Sequence, residues 1–229
     1  MTRANHDSAT RSAEPGASLP RPRDSSAFKR GAILVAAIAA CVFNGCGAAR
    51  PSKYYQLTLA SDAARVQTGD PAPVTLLVGD LMASHLYRDD RIVYSSGGTQ
   101  MGTYEYQRWA EPPTEMVEGI LLRELRASGR YNAVYTHRSN VNGDFLLRGR
   151  LFDFKEVSGG SIVARVTFEL EMRDLKNGAT VWNHYYSHDE AVDGKDVPAV
   201  VAALDKNVQR GVKEVVASLD QYFVSHPAK

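Results

Sequence analysis

The sequence predicts an α/β domain of the α+β-like kind, a mixed β-sheet with a long antiparallel meander and two main helices packed on it. Three observations carry this expectation. Residues 164–173 alternate apolar and polar side chains without a break, the period of a half-buried strand. Two segments, 112–128 and 196–222, instead repeat apolar residues at spacings of three and four, the period of a helix with one buried face. Strand-like segments both precede and separate these helices, an order that implies helices gathered mainly on one side of a mixed sheet.

Taken in order, Tyr54-Tyr55-Gln56-Leu57-Thr58-Leu59 has the aromatic and β-branched content of a strand. Val74-Thr75-Leu76-Leu77-Val78 is a nearly unbroken apolar run closed by Gly79-Asp80, as expected of a central strand covered on both faces. Ile92 to Ser95 and Thr103 to Tyr106 flank Gly97-Gly98 and read as a hairpin. Pro112-Pro113-Thr114-Glu115 opens the first helix, Val117, Ile120, Leu121 and Leu125 form its apolar stripe, and Gly129 stops it. Ala133 to Tyr135 follows as a strand. A long strand over 144–157 carries a bulge where its apolar phase slips between Leu151 and Phe152. Ile162 to Met172 is the clearest strand, and Asn177-Gly178 has the composition of a two-residue turn into 181–188. Asp196 caps the last helix, with Val197, Val201, Leu204, Val208, Val212, Val215, Leu219 and Tyr222 on its face.

The amino terminus reads as an address and an anchor. Residues 1–27 are rich in Ser, Pro, Arg and Ala without apolar periodicity. Lys29-Arg30 then precede an uncharged run, 31–45, of the length and flanking charge of a secretory signal. It is too short to span a bilayer, which takes about 20 apolar residues. The run meets cysteine twice. Ile38-Ala39-Ala40-Cys41 and Phe43-Asn44-Gly45-Cys46 both resemble the apolar-small-small-Cys pattern whose cysteine becomes the lipidated first residue of a bacterial lipoprotein. Cys46 is preferred, with Cys41 the alternative, because lipidation at Cys41 would leave Cys46 as an exposed thiol in an oxidising compartment. Gly47 stands where inner-membrane retention resembles a rule requiring Asp, which favours the outer membrane. The expected organisation is therefore a removed segment 1–45, a lipidated linker 46–53 and a single domain 54–226.

The formal charge of +1 averages two unlike pieces. From Cys46 onward there are 21 basic and 23 acidic residues, net −2, which gives no electrostatic reason to expect nucleic acid. With no cysteine after Cys46, a disulfide framework or cysteine-ligated metal site in the domain is excluded. Common catalytic motifs are absent, and no cofactor is expected. Gly97 and Gly102 have P-loop-like spacing without its lysine. His184 and His188 would sit on one strand about 13 Å apart, too far to share an ion. His85, Asp89 and Asp90 fall in a polar loop. The chain is not expected to be an enzyme.

Aromatic residues are the remaining candidates. A two-residue turn at Asn177-Gly178 would pair Arg173 with Trp182 and Glu169 with Tyr186, leaving Trp182 and Tyr186 on the polar face as an interface; a three-residue loop would reverse the phase and bury them. Tyr106 and Trp109 flank the polar loop before the first helix, as contacts for a partner or as packing that pins the loop.

Lys53-Tyr54-Tyr55-Gln56-Leu57 soon after Cys46, the strand 74–78, Leu86-Tyr87-Arg88-Asp89-Asp90-Arg91-Ile92-Val93-Tyr94, and Tyr104-Glu105-Tyr106-Gln107-Arg108-Trp109-Ala110-Glu111-Pro112 resemble the ABC-type transport auxiliary lipoproteins of the PqiC kind. The resemblance runs from Cys46 to near Phe223, although Leu81 to Leu86 lacks the usual proline. It implies an outer-membrane lipoprotein on the periplasmic face that works with an MCE-domain protein and an ABC permease and ATPase in moving lipids between membranes. It further implies that the chain is not the ATPase and does no covalent chemistry, and that members can form ring-like homo-oligomers. The alternatives are a structural or pilot-type assembly lipoprotein and a periplasmic hydrolase using His184 or Asp89.

Overall fold

A computed structural model of the chain describes residues 50–59 and 72–227; Cys41, Cys46 and the expected export segment lie outside them. The described residues belong to one unit beginning at Arg50. Its elements are β1 (Lys53–Tyr55), β2 (Ala72–Ala83), a short 3-10 turn (His85–Tyr87), β3 (Arg91–Ser95), β4 (Gly102–Trp109), α1 (Pro113–Ala127), β5 (Tyr131–Thr136), β6 (Phe145–Ser158), β7 (Ile162–Asp174), β8 (Thr180–Ala191) and α2 (Val197–Ser225).

All eight strands join one mixed sheet. The long β6–β7 pair is its spine, antiparallel over the whole of β6 and continued antiparallel into β8. On its other edge β6 is shared: residues 145–151 pair in parallel with β2, and 155–157 pair in parallel with β3. The expected bulge lies between these two partnerships, at Phe152, where the β6–β7 register shifts. An extra residue bends a strand, and here the bend lets one strand serve two neighbours. β5 lies parallel outside β2, while β3, β4 and β1 extend the sheet on the other flank.

Both helices pack on one face. In α1, Val117, Ile120, Leu121 and Leu125 are buried as the spacing predicts, and Gly129 ends the helix region at φ +63°. In α2, the Asp196 side chain accepts the Ala199 N–H at 3.0 Å as its cap. The buried stripe of α2 includes Leu204, Val208, Val212, Val215 and Leu219, but also Val200, Ala203, Asn207, Gly211 and Phe223. Against them stand Ala164, Val166, Phe168, Leu170 and Met172 of β7, every second residue, as expected. Among the described residues no helix is long and apolar enough to cross a membrane.

Two expectations are corrected. The strand predicted over 54–59 stops at Tyr55, because its partner β4 ends at Trp109 and Ala110 N–H already takes the Tyr55 carbonyl at 2.7 Å. Residues 56–59 instead cross to α2: Leu57 enters the core, Thr58 N–H donates to Asp205 Oδ1 at 3.0 Å, and Gln209 donates to the Thr58 carbonyl at 2.6 Å. The second correction is the β7–β8 register. The connection is longer than two residues because the Asp174 carboxylate organises it, accepting Lys176 N–H at 2.7 Å and the Asn177 amide at 3.0 Å. A shift after Arg173↔Thr180 then sets Met172 opposite Trp182 and Phe168 opposite Tyr186. Trp182 and Tyr186 therefore share the helix-covered face of the sheet.

Candidate functional site

The four aromatic candidates fall at two opposite edges of the sheet. Trp109 and Tyr106 are on β4, beside edge strand β1; Trp182 and Tyr186 are on β8, the other edge. Trp109 is 1% exposed, meets Phe154 edge-on at a centroid distance of 5.4 Å, and its backbone N–H donates to the Asp90 carbonyl at 2.6 Å. Its indole N–H is buried, with no acceptor among the described residues. Arg108 donates to Asp90 Oδ1 at 2.7 Å, so the 88–91 loop is held against the end of β4 from side chain and backbone alike. Trp109 is thus the packing that pins this loop. Tyr106, by contrast, stays 36% exposed, and its hydrogen bond to the Glu105 carboxylate raises its phenol above the usual range.

On β8, Tyr186 is buried against Phe168, stacked at 5.0 Å, and its hydroxyl donates to Asn207 Oδ1 at 2.6 Å. Burial first, then the Glu214 charge, pushes this phenol up to about 12. Trp182 packs at the core margin and donates to Ser218 Oγ at 3.1 Å. Neither ring is on the polar face where the two-residue turn would have put it. The large areas of Trp and Tyr, about 150–250 Å² each, favour the register that covers them.

The two histidines take different surroundings. His184 stacks on Trp182 at 5.9 Å, whereas His188 lies against Arg210 and 3.5 Å from Glu190. Glu190 also pairs with Lys206 at 2.6 Å and Arg210 at 2.9 Å, and the Lys206 hydrogen bond holds its carboxyl below the usual range. Among the described residues no group of three His, Cys, Asp or Glu could hold a metal ion. Gly97 and Gly98, at φ +105° and +64°, make the β3–β4 hairpin tip.

Two further concavities were not anticipated. One, of about 330 Å³, opens at the carboxyl ends of β2 and β5 beside the first half of α1, where Asp80, Glu111, Glu115 and Glu118 face a single cation, Arg138. Arg138 pairs with Asp80 at 3.0 Å, and Glu118 accepts the Leu81 N–H. Burial raises the Glu118 carboxyl above its ordinary value. A raised carboxyl is favoured neutral by folding, so its ionisation destabilises the fold as pH rises through the folded value. Glu118→Gln, which keeps the acceptor, is expected to raise the melting temperature by a few degrees at pH 7 and to lose that advantage near pH 4, measured by thermal denaturation at both pH values. The other concavity, about 470 Å³, lies on the helix-free face between Met82, Arg148, Arg150, Phe152, Glu169 and Glu171. Arg148 is paired with Glu171 at 2.6 Å, and Arg150 lies 6.0 Å over the Phe152 ring. The phase slip at Phe152 was the sequence signal for this groove, since the bulge turns a large ring outward. The acidic crevice had none, because Asp80 comes from β2 and the three glutamates from the lead-in and first half of α1, over thirty residues later.

The domain is thus a mixed sheet covered by helices on one face, with concavities that open to solvent beside α1 and on the helix-free face. The chain belongs to the ABC-type transport auxiliary lipoprotein component family, whose model matches residues 55–216. It is similar in fold to a DUF330-family protein from Xanthomonas campestris, at 18% identity and a TM-score of 0.67 over 76% of this chain and 98% of that one. A second, uncharacterized protein is similar at 13% identity and a TM-score of 0.58, over 74% and 99% of the two chains. PelC from Paraburkholderia phytofirmans, solved as a dodecamer, is more distant, at 16% identity and a TM-score of 0.40 over 68% and 95%. No curated protein matches the sequence.

Proposed function

We propose that this chain is a lipid-anchored, periplasm-facing accessory component of an MCE/ABC-type intermembrane lipid transport system, held at the outer membrane and supporting its integrity. Family membership over residues 55–216 carries the reading. The sequence adds Cys46 in a lipoprotein-like setting seven residues before β1. Acyl chains on Cys46 would hold the domain at a bilayer without a spanning helix, each buried methylene contributing ~0.8 kcal/mol. The role within the system is binding and positioning of an MCE-domain protein and the permease–ATPase complex, with a homo-oligomeric ring as the assembly.

Deleting the gene is expected to sensitise cells to detergent, with restoration by the wild-type chain and not by Cys46→Ser, and the wild-type chain should co-purify with an MCE-domain protein. A neutral deletion with no such partner recovered would sink the reading. Recovery of secretin or cell-wall components in its place would favour an assembly lipoprotein.

A further inference from the structure

We infer that the β1–β4 edge of the sheet is a membrane-docking edge that rests on lipid headgroups, while the β8 edge points away from the bilayer. The inference rests on the lipid-anchor reading above, since it uses where the anchor's chain enters the fold.

The entry point is at one extreme of the sheet. β1 is an edge strand pairing only with β4, and β8 is the opposite edge, five strand spacings away. At about 4.8 Å per spacing the two edges are roughly 24 Å apart. Six residues separate Cys46 from Lys53, seven residue steps, so the anchor can stand at most about 25 Å from the start of β1. A tether that short keeps the β1 edge at high local concentration at the bilayer surface.

The side chains at that edge suit such a surface. Tyr54 is 64% exposed, and its register opposite Arg108 sets it diagonal to Tyr106, 36% exposed, on the same face of the β1–β4 pair. Diagonal positions in a sheet are about 7–8 Å apart, so the two residues are neighbours on that face. Tyrosine, with an apolar ring and a polar tip, favours the boundary between headgroups and acyl chains. The charges around the pair are mostly cancelled: Arg108 by Asp90 at 2.7 Å and Arg91 by Asp89 at 3.8 Å. Arg50 and Lys53, both exposed, are the cations left over, against the acid Glu105 beside Tyr106. A slight positive excess next to two exposed tyrosines matches an anionic lipid surface. The fold also makes this edge able to take load from the anchor. Immediately after β1, Leu57 is buried and Thr58 is bonded to Asp205 and Gln209 of α2, so the tether ends in a segment fastened to both sheet and helix.

Tyr185 provides the contrast. It is 62% exposed on the opposite edge strand, in register with Glu169 on the helix-free face. Docking by the β1 edge therefore separates Tyr54 and Tyr106 from Tyr185 in depth.

The test uses the full chain, processed and lipidated in cells and reconstituted in vesicles of phosphatidylethanolamine and phosphatidylglycerol. Because Cys41 and Cys46 are the only cysteines, Tyr54→Cys, Tyr106→Cys and Tyr185→Cys can each carry a polarity-sensitive fluorophore. Mass spectrometry of the amino-terminal peptide reports the lipid, and circular dichroism reports that each variant folds. Quenching by spin-labelled lipids is expected to be at least two-fold stronger at positions 54 and 106 than at 185. Equal quenching at all three, or strongest quenching at 185, with the lipid present on Cys46 overturns the docking edge and leaves the anchor intact. An amino terminus without lipid removes the anchor reading and the docking edge with it.

Discussion

Replacing Asn207 by alanine is expected to lower the melting temperature by roughly 6–12 °C, the effect of losing about 3 kcal/mol in a domain of this size. Asn207 lies on the apolar stripe of α2 and is completely buried. Its amide donates to the Ala164 carbonyl at 2.9 Å and the His188 carbonyl at 2.8 Å, and its oxygen accepts the Tyr186 hydroxyl at 2.6 Å. One side chain therefore satisfies polar groups on both β7 and β8 and fastens them to the helix. Alanine leaves two buried carbonyls without this donor, whereas the Tyr186 hydroxyl keeps the Asn207 backbone carbonyl at 3.1 Å. Asn207→Asp is expected to be worse at neutral pH, because a carboxylate would face two carbonyl oxygens. Its stability should recover as pH falls, since the buried carboxyl would titrate above its unfolded value and be tolerated only when protonated. Thermal denaturation of the three proteins at pH 7 and pH 5 checks both statements; a melting temperature within a degree of wild type for Asn207→Ala would show that the amide does not hold the layer together.

Gly149→Ala should be comparably damaging, by about 3 kcal/mol, for a steric reason. Gly149 sits in β6 between Leu81 of β2 and Leu170 of β7. An added Cβ would stand 2.0 Å from the Glu169 carbonyl oxygen and 2.6 Å from a Leu170 methyl. The first obstacle is backbone, which cannot rotate away, so the spine of the sheet must shift, at the upper end of the usual overpacking cost. Gly119→Ala is the control: a Cβ there meets nothing within 4 Å, and in a helix alanine is favoured over glycine by about 1 kcal/mol. Thermal melts should move in opposite directions for the two variants. A Gly149→Ala protein as stable as wild type would mean that the β6–β7 approach is looser than 2.0 Å implies.

Much of the fold was legible because local periodicity and core contacts agree. The alternation through 164–172 placed Ala164, Val166, Phe168, Leu170 and Met172 in the core, where each is 2% exposed or less. The slip between Leu151 and Phe152 located the bulge that divides β6 between two partners. Asp196 and Gly129 marked helix ends through local chemistry, a cap and a positive φ. Where two local patterns were both permissible, the sequence could not choose. Asn177-Gly178 suits a two-residue turn, yet Asp174 reaches three residues along the chain and enlarges the loop. The same limit hid Asn207, since a lone polar residue on an apolar stripe signals a partner without saying which.

The sequence by itself determined the fold class, the helix faces, the long meander and the family, because each rests on periodicity or on contiguous motifs. Only the tertiary structure decided the phase of β8, and with it that Trp182 and Tyr186 belong to the helix-covered face. It also decided that Trp109 is core while Tyr106 and Tyr54 remain outside at the edge where the anchor's chain arrives. A strand's two faces exchange with a one-residue change of register. Which face is buried depends on what lies across it, and α2, which covers β8, follows it in the chain.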